Sequence, residues 1–501
     1  MGNVLVKEET LTQIADAIRE KGGYNDKFKP VEMPEAILEI STYSGEGADP
    51  NKPVRFYGPY GDLVYSYTFT EISELTELPL LPEYKGLVGQ EWNWSLEKIL
   101  EVSGEIEIGS LYITDDGATR IYIELIEGAL NPKIGFIQNI ANSVKIDWGD
   151  GSEWETSDVV DGDTVSIEHQ YAEPGNYVIR LMPDDGAELK MYGFTTGSIL
   201  LHKDLNSTYA NMIYANAIKK VELGKGITTL LDNVFTSASI TSVTIPAEIT
   251  VFKRAFADCK GIEYLVFPKA VSNLTTSAFE DCIALKRVVF SETLLPLAQY
   301  AFYGCGQLQQ IILTPRTRIG SGYIFSDNTS IKKVVIEDCA GIGQSEFSGC
   351  KALRDVAITG TALWEIGGSA FRGCESLRKL DIPTCVIRIG SYAFGNCSAL
   401  RSLKIPEGVT IIRSNLCYNA FSLQEINIPS GVTSIENYAF YNCKAMENYY
   451  LYPITPPTLS NKNAFTISDN TKIHVPKGCL EAYQTADVWS ELIDYMVEME
   501  E

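Results

Sequence analysis

The sequence predicts a multidomain, mainly β protein: a small N-terminal helical module, an α+β module, a β-sandwich and a C-terminal solenoid. Three observations carry this. At 501 residues the chain is too long for one hydrophobic core, since single cores stop growing near ~250–300 residues. Its second half repeats one phrase, AFEDCIALKRVVF at 278–290, AFRGCESLRKLDI at 370–382 and AFGNCSALRSLKI at 393–405. Such self-similarity marks a unit that buries its apolar face only against its neighbours. The first half instead strings short apolar runs between Gly-, Asp- and Pro-bearing turn phrases, the pattern of strands.

Composition excludes several classes. A net charge of −24 repels nucleic acid and anionic lipid, so neither is an expected partner. No run approaches the ~20 apolar residues that span a bilayer, and no membrane insertion is expected. Glu8 and Glu9 stand where an export signal would have its apolar core.

In the N-terminal module (1–45), TLTQIADAIRE puts Leu11, Ile14, Ala15 and Ile18 on one helical face behind Thr10 as N-cap, and KGG ends the helix. PEAILEI reads as a second short helix. The segment resembles a module found at the N-termini of tail-associated bacteriophage proteins, which implies attachment to other tail or baseplate proteins. STYSGEGADPNKP is a polar linker.

The α+β module (53–130) opens with VRFYGPYGDLVYSYTF, two strands with DG at the turn, then reaches QEWNW and IEIGSLYITDDGATRIYIEL, where DDG reads as a second hairpin turn. It is similar to another phage tail-protein module, with Glu91 where that module has Gly. Tyr57, Tyr60, Trp92 and Trp94 could stack on sugars, although core packing is the commoner use of such rings.

VKIDWGDGSEWE and HQYAEPGNYVIRL resemble the opening and closing strands of a PKD-like, immunoglobulin-type sandwich (131–190), with Val144, Ile146, Val178 and Leu181 in its core. Asp147, Asp150 and Asp163 offer hard oxygen ligands to calcium. Their spacing is not that of an EF-hand, and Asp with Gly is also what tight turns demand. The turn reading is preferred, and no metal or other cofactor is expected.

The solenoid (216–476) rests on a ladder of Phe235, Phe256, Phe279, Phe302, Phe325, Phe347, Phe371, Phe394, Phe440 and Phe465, with Cys417 in the gap. Three residues after most of these Phe comes a cysteine, replaced by Asn328 and Ala420 in two coils. One sulfur per coil, without paired chelation or nearby His, argues against metal and for buried thiols. VIRIGSYAFGNCSALRSLKIP closely resembles the BspA-like leucine-rich repeat, and IHVPKGCLEAYQTADVWSELIDYM resembles that family's C-terminal cap (477–501), a last strand and a helix carrying Trp489. The resemblance implies adhesion or recognition and no catalysis.

Alternate strand residues point to opposite faces, so the outward positions form two columns. One runs Tyr264, Arg287, Gln310, Lys333, Asp355, Lys379; the other runs Val266, Val289, Ile312, Val335, Ala357 before turning polar at Asp381 and Lys404. Two explanations of the apolar stripe stand open. It reflects β-propensity or cover by another segment of the chain, or it is an intermolecular interface. The candidate binding residues are therefore Tyr264, Val266, Arg287, Val289, Ile312, Lys333 and Val335.

Only three histidines occur, His169, His202 and His474, each in a different predicted unit, and no nucleophile elbow, phosphate loop or zinc-protease motif is present. No catalytic residues are assigned. The leading expectation is a non-enzymatic fibre or receptor-binding protein of a phage tail or baseplate. It would be made in the host cytoplasm and carried on the virion, would be a homotrimer as the resemblance to fibres implies, and would recognise a host-surface glycan or protein. The alternatives are a bacterial surface adhesin, a capsid decoration protein and a polysaccharide depolymerase.

Overall fold

The computed structural model describes residues 50–500 apart from 103, 139–142, 159–163, 185–188, 192–199, 202–216, 231–233, 237, 250, 253, 270, 272, 293–294, 314–316 and 319–321. The chain divides into two units, 1–44 and 45–501. The helical face of Leu11, Ile14, Ala15 and Ile18 lies outside the described residues, as do Asp163 and His202.

The α+β module contains β1 (Pro53–Tyr57), β2 (Leu63–Thr68), α1 (Phe69–Ser73), β3 (Leu87–Trp92), α2 (Leu96–Glu101) and β4 (Ile106–Thr114). Its sheet runs in the order β2-β1-β4-β3, with β1 parallel to β4. Thr68 starts α1 through a capping box with Glu71, and Ser95 caps α2 by accepting from the Lys98 N–H. Val54, Phe56, Ile72, Trp92, Trp94, Ile99, Val102, Ile106 and Ile108 form the module core. All nine residues of β4 are buried, the signature of a strand covered on both faces.

The DDG turn does not close a hairpin. It passes the chain from β4 to β5 (Thr119–Leu125), which lies in a different sheet with β7 (Ser143–Asp147), β8 (Glu155–Asp158) and β10 (Gly175–Pro183). A second sheet holds β6 (Lys133–Gln138), β9 (Thr164–Glu168), β11 (Leu189–Met191) and β12 (Leu200–Leu201). These layers do not stand alone as the sequence suggests. Strand β5 pairs with β13 (Ile218–Glu222) and thence β15 (Ser242–Thr244), while β11 pairs with β14 (Ile227–Leu230) and thence β16 (Val251–Phe252). Both layers thus continue into the solenoid's two strand ladders, and the core is continuous from Ile121 through Phe136, Ile146 and Leu181 to Met496. Covering the first coil in this way removes an open sheet edge. Within β10 the alternation buries Ile179 and Leu181, so Val178, expected in the core, is only partly buried.

Each coil gives one strand to a parallel ladder, as in Gln310↔Lys333↔Asp355 and Ser402↔Glu425↔Asn448. Successive Phe rings stack inside: Phe256–Phe279 at 5.4 Å and 9°, Phe279–Phe302 at 5.3 Å and 5°, Phe371–Phe394 at 5.8 Å and 2°. In the coils from Phe256 to Phe440 the residue two positions after the ladder aromatic has a left-handed backbone, with φ 58 at Asp258, 56 at Asp281, 70 at Gly304, 59 at Asp327 and Asn396, and 61 at Asn442. In these coils only Asp, Asn or Gly stands there, the residues that visit this region at low cost.

The ladder cysteines are all free and buried, and each thiol donates to a main-chain carbonyl one coil back: Cys282 Sγ to Phe256 O at 3.1 Å, Cys374 to Phe347 O at 3.3 Å, Cys397 to Phe371 O at 3.1 Å. Asn328 substitutes for Cys by donating Nδ2 to Phe302 O at 2.8 Å, and in the last coil Thr466 Oγ1 donates to Phe440 O at 2.6 Å.

The cap holds α3 (Leu480–Thr485), and Trp489 lies not in that helix but at the head of a 3-10 turn, with its Nε1 donating to Pro457 O at 2.7 Å. The chain ends in Met496–Glu498, which adds a strand beside Lys472–Val475.

Candidate binding surface

The two outward columns of the strand ladder meet different surroundings along the solenoid. Over the first coils the module sits on them. Tyr57 and Leu111 pack with Tyr264, Val266 and Val289, and Gly109 has no room for a side chain because a Cβ there would lie 2.1 Å from Val266 Cγ2. Further along, Gly104 faces Val335 and its N–H donates to Glu337 Oε2 at 3.4 Å. Tyr264, Val266, Val289, Ile312 and Val335 are all buried. From Val266 to Val335 the apolar stripe is thus covered by another segment of the same chain, with Ala357 left exposed, and these five residues do not present a free binding face.

Polar contacts fix the module's register. Glu107 is buried, receives the Tyr57 hydroxyl at 3.2 Å and Gln310 Nε2 at 2.9 Å, and pairs with the Arg287 guanidinium. Burial pushes the Glu107 carboxyl up, against the opposing pull of Arg287 and Tyr57. The Lys333 ammonium pairs with Glu105, which also holds Arg55 at 3.2 Å. Arg287 and Lys333, expected to face a partner, therefore face the module.

The QEWNW phrase and the serine after it form the docking strip. Gln90 donates to Glu248 and accepts the Ala247 N–H at 2.9 Å; Glu91 pairs with Lys269 at 2.9 Å. Asn93 Nδ2 donates to Phe267 O at 3.1 Å, Trp94 Nε1 to Phe290 O at 2.8 Å, and the Ser95 hydroxyl to Glu292 at 2.7 Å. Trp92 turns inward to the module core and donates to Pro79 O. Tyr57, Trp92 and Trp94 are buried packing residues; Tyr60 alone of the four proposed stacking rings is exposed.

Beyond Asp355 the module ends and the strand face is open. Its columns there read Lys379, Ser402, Glu425, Asn448, Lys472 and Asp381, Lys404, Asn427, Tyr450, His474. A trough of about 350 Å³ runs across it, lined among others by Asp381, Ser402, Lys404, Glu425, Asn427 and Tyr452. Tyr452 is 46% exposed and its hydroxyl donates to Asn427 Oδ1 at 3.4 Å. Beside it Tyr450 stacks on His474 at 4.5 Å, and the His474 ring nitrogen meets Asn448 Oδ1 at 2.9 Å. The column turns polar at Asp381 and Lys404, and that change of chemistry is the signal in the sequence for this site.

Other candidates resolve into structure. Asp147 accepts from Gly149 N at 2.8 Å and Asp150 from Ser152 N at 3.0 Å, the bonds that build the W-G-D-G turn, and Asp150 also meets His169 at 2.7 Å while that ring stacks on Trp148. Among the described residues no group of His, Cys, Asp and Glu is arranged to hold a metal ion, and no helix is long and apolar enough to cross a membrane. Burial pushes the thiols of Cys259, Cys305, Cys374, Cys397 and Cys443 up, the last two to about 12, which keeps them from the thiolate form that redox and metal chemistry use.

The family profile described as the BspA type leucine rich repeat region matches in overlapping stretches, 190–260, 250–363, 322–447 and 364–486. Solved structures similar to the chain include leucine-rich-repeat proteins from Eubacterium ventriosum (21% identity, 61% of this chain and 92% of that one, TM-score 0.36) and Bacteroides ovatus (18%, 63% and 96%, 0.32). A leucine-rich cell surface protein from Faecalibacterium prausnitzii is similar at 17% identity over 62% of this chain and 93% of its own, with TM-score 0.34. No curated protein matches. The family match overturns the expectation of a phage tail or baseplate fibre carried on a virion: what matches is a leucine-rich-repeat family, not a phage tail family. The module that carried the phage resemblance here serves as cover for the solenoid's first coils.

Proposed function

The chain belongs to the BspA-type leucine-rich-repeat family, and from that premise we propose that it is a surface-recognition protein of the adhesin type, binding through the open half of its strand face. The family's repeat is a non-catalytic structural fold, and the chain is not an enzyme. One observation supports the choice of face. The module covers the apolar outward column from Val266 to Val335, with only the small Ala357 of that column left exposed, and the polar, aromatic-bearing columns from Lys379 to His474 stay open. A parallel ladder sets such side chains on a rigid grid with strands ~4.8 Å apart, a scaffold suited to presenting many weak contacts to an extended target.

The test is binding of the fluorescently labelled full chain to intact epithelial and bacterial cells by flow cytometry. The native chain is expected to decorate at least one of these, and a Lys404→Glu/Tyr452→Ala double variant to lose at least about tenfold in signal with an unchanged circular dichroism spectrum. Equal binding by the variant, or no cell binding by the native chain, rejects the proposal.

A further inference from the structure

Resting on the recognition reading above, we propose that the trough bounded by Lys379 and Tyr452 takes a neutral glycan. Its chemistry is mixed in the way polyhydroxylated ligands require. Ser402, Lys404 and Asn427 offer donors, while Asp381, Glu425 and the Asn427 carbonyl offer acceptors. Each sugar hydroxyl is both donor and acceptor, so a grid alternating the two along neighbouring coils, Ser402 beside Glu425 and Lys404 beside Asn427, can bracket adjacent hydroxyls.

Charge argues against an anionic ligand. The lining carries two ammonium groups, Lys379 and Lys404, against three carboxylates, Asp381, Glu407 and Glu425. Lys379 is already engaged with Asp381 at 2.8 Å, and the chain as a whole bears −24, a field that repels polyanions. A protein ligand is also a poorer fit. Protein interfaces centre on buried apolar or aromatic anchors, and the outward side chains on the trough floor, Lys379, Asp381, Ser402, Lys404, Glu425 and Asn427, are polar. The aromatic group stands at one end: Tyr452, half exposed, its hydroxyl held by Asn427 so that the ring is kept in place beside the trough. A ring fixed at the edge of a hydroxyl-binding grid can stack on the apolar face of a sugar. The trough's volume of about 350 Å³ lies within the ~300–1,000 Å³ range of small-ligand sites.

The experiment uses the full chain on an array of neutral and of sialylated or sulfated oligosaccharides, together with cells treated with periodate, which cleaves vicinal diols, or with protease. Binding to one or more neutral glycans is expected, falling at least about tenfold in Asn427→Ala and in Tyr452→Ala, falling less in Tyr452→Phe, which keeps the ring but loses its bond to Asn427, and altering less than about twofold between 0.15 and 0.5 M NaCl. Cell binding should be lost after periodate and kept after protease. Preference for sulfated or sialylated glycans, steep salt dependence, or no glycan binding at all overturns the assignment. Loss of cell binding with protease but not periodate, still sensitive to Lys404→Glu/Tyr452→Ala, also overturns it, while leaving the recognition reading in place.

Discussion

Glu346 is a carboxyl group in an apolar column. It occupies the place before the ladder aromatic held by Ala278, Ala301, Ile324, Ala370 and Ala393 in other coils; both of its side-chain oxygens are buried without a hydrogen-bond partner, and burial pushes its pKa up to about 8. In the unfolded chain the group titrates near its ordinary 4.5. Between about pH 4.5 and 8 the folded state therefore holds a proton that the unfolded state has released, so stability is greatest below that window and falls as pH rises through it. The slope approaches ~1.4 kcal/mol per pH unit for one such group. Chemical denaturation of the native chain and of Glu346→Gln from pH 4 to 9 checks this: the native curve should show the extra decline and the Gln variant should lose it. The ladder thiols give a second residue-scale expectation. Cys374 fills a small gap and donates to Phe347 O, so Cys374→Ala should cost about 1–2 kcal/mol in lost packing and one weak bond. Cys374→Ser should recover part of that, since the hydroxyl still donates, and reductant should leave the native melting temperature unchanged because all the cysteines are free.

At the scale of elements, the strand ladder is interrupted after Ser242–Thr244, after Arg287–Val289 and after Asp355–Thr359. At the last of these the sheet Gln310–Leu313, Lys333–Glu337, Asp355–Thr359 ends, and a new sheet starts at Lys379–Leu380. The Asp355 N–H donates back to Lys332 O, so in a parallel strand Val356 and Ile358 direct their amides forward, toward the junction where the ladder stops. Both side chains are only partly buried, unlike Val334 and Ile336 one coil earlier. Hydrogen exchange should find the Val356 and Ile358 amides faster by about tenfold or more than those of Val334 and Ile336; equal protection would mean the ladder closes in solution. This interruption was not legible in the sequence, because Asp355–Thr359 keeps the same alternation as its neighbours. What was legible follows strict periodicity: the Phe and Cys ladders, the inward Leu380 and Ile426, and the free thiols. What was missed arises between segments distant in sequence. The footprint of Gln90 to Ser95 on Glu248, Phe267 and Phe290 has no local signature. Resemblance of that phrase to other modules said nothing about what it touches here. The split of the sandwich into two layers feeding the solenoid was hidden for the same reason: β5 reads as the partner of β4 until β10 and β13 are seen on either side of it.

For the whole molecule, the module covers the large residues of the apolar stripe and leaves only Ala357 of it exposed, and this makes the module part of the solenoid's solubility. Uncovering Tyr264, Val266, Val289, Ile312 and Val335 would expose a contiguous apolar strip of the kind that drives association, together with Glu107's partners Arg287 and Gln310. The coils themselves draw their core from inward Phe, Leu and Ile residues, so their fold does not depend on that cover. A chain lacking residues 53–114 is therefore expected to keep the solenoid's far-ultraviolet circular dichroism while self-associating in sedimentation velocity. Adding Val289→Asp and Ile312→Asp to the shortened chain should return it to a monomer, because the strip is then polar. The same pair of substitutions in the full chain should act in the opposite direction. The carboxylate at 289 would be buried against Leu111 and the one at 312 at a position that is also buried, costing several kcal/mol, and the module should detach, seen as new protease cleavage between Pro50 and Thr114 and a lower first melting transition. A shortened chain that stays monomeric, or a full-length double variant that melts as the native one does, would show that the strip is not what holds the two parts together.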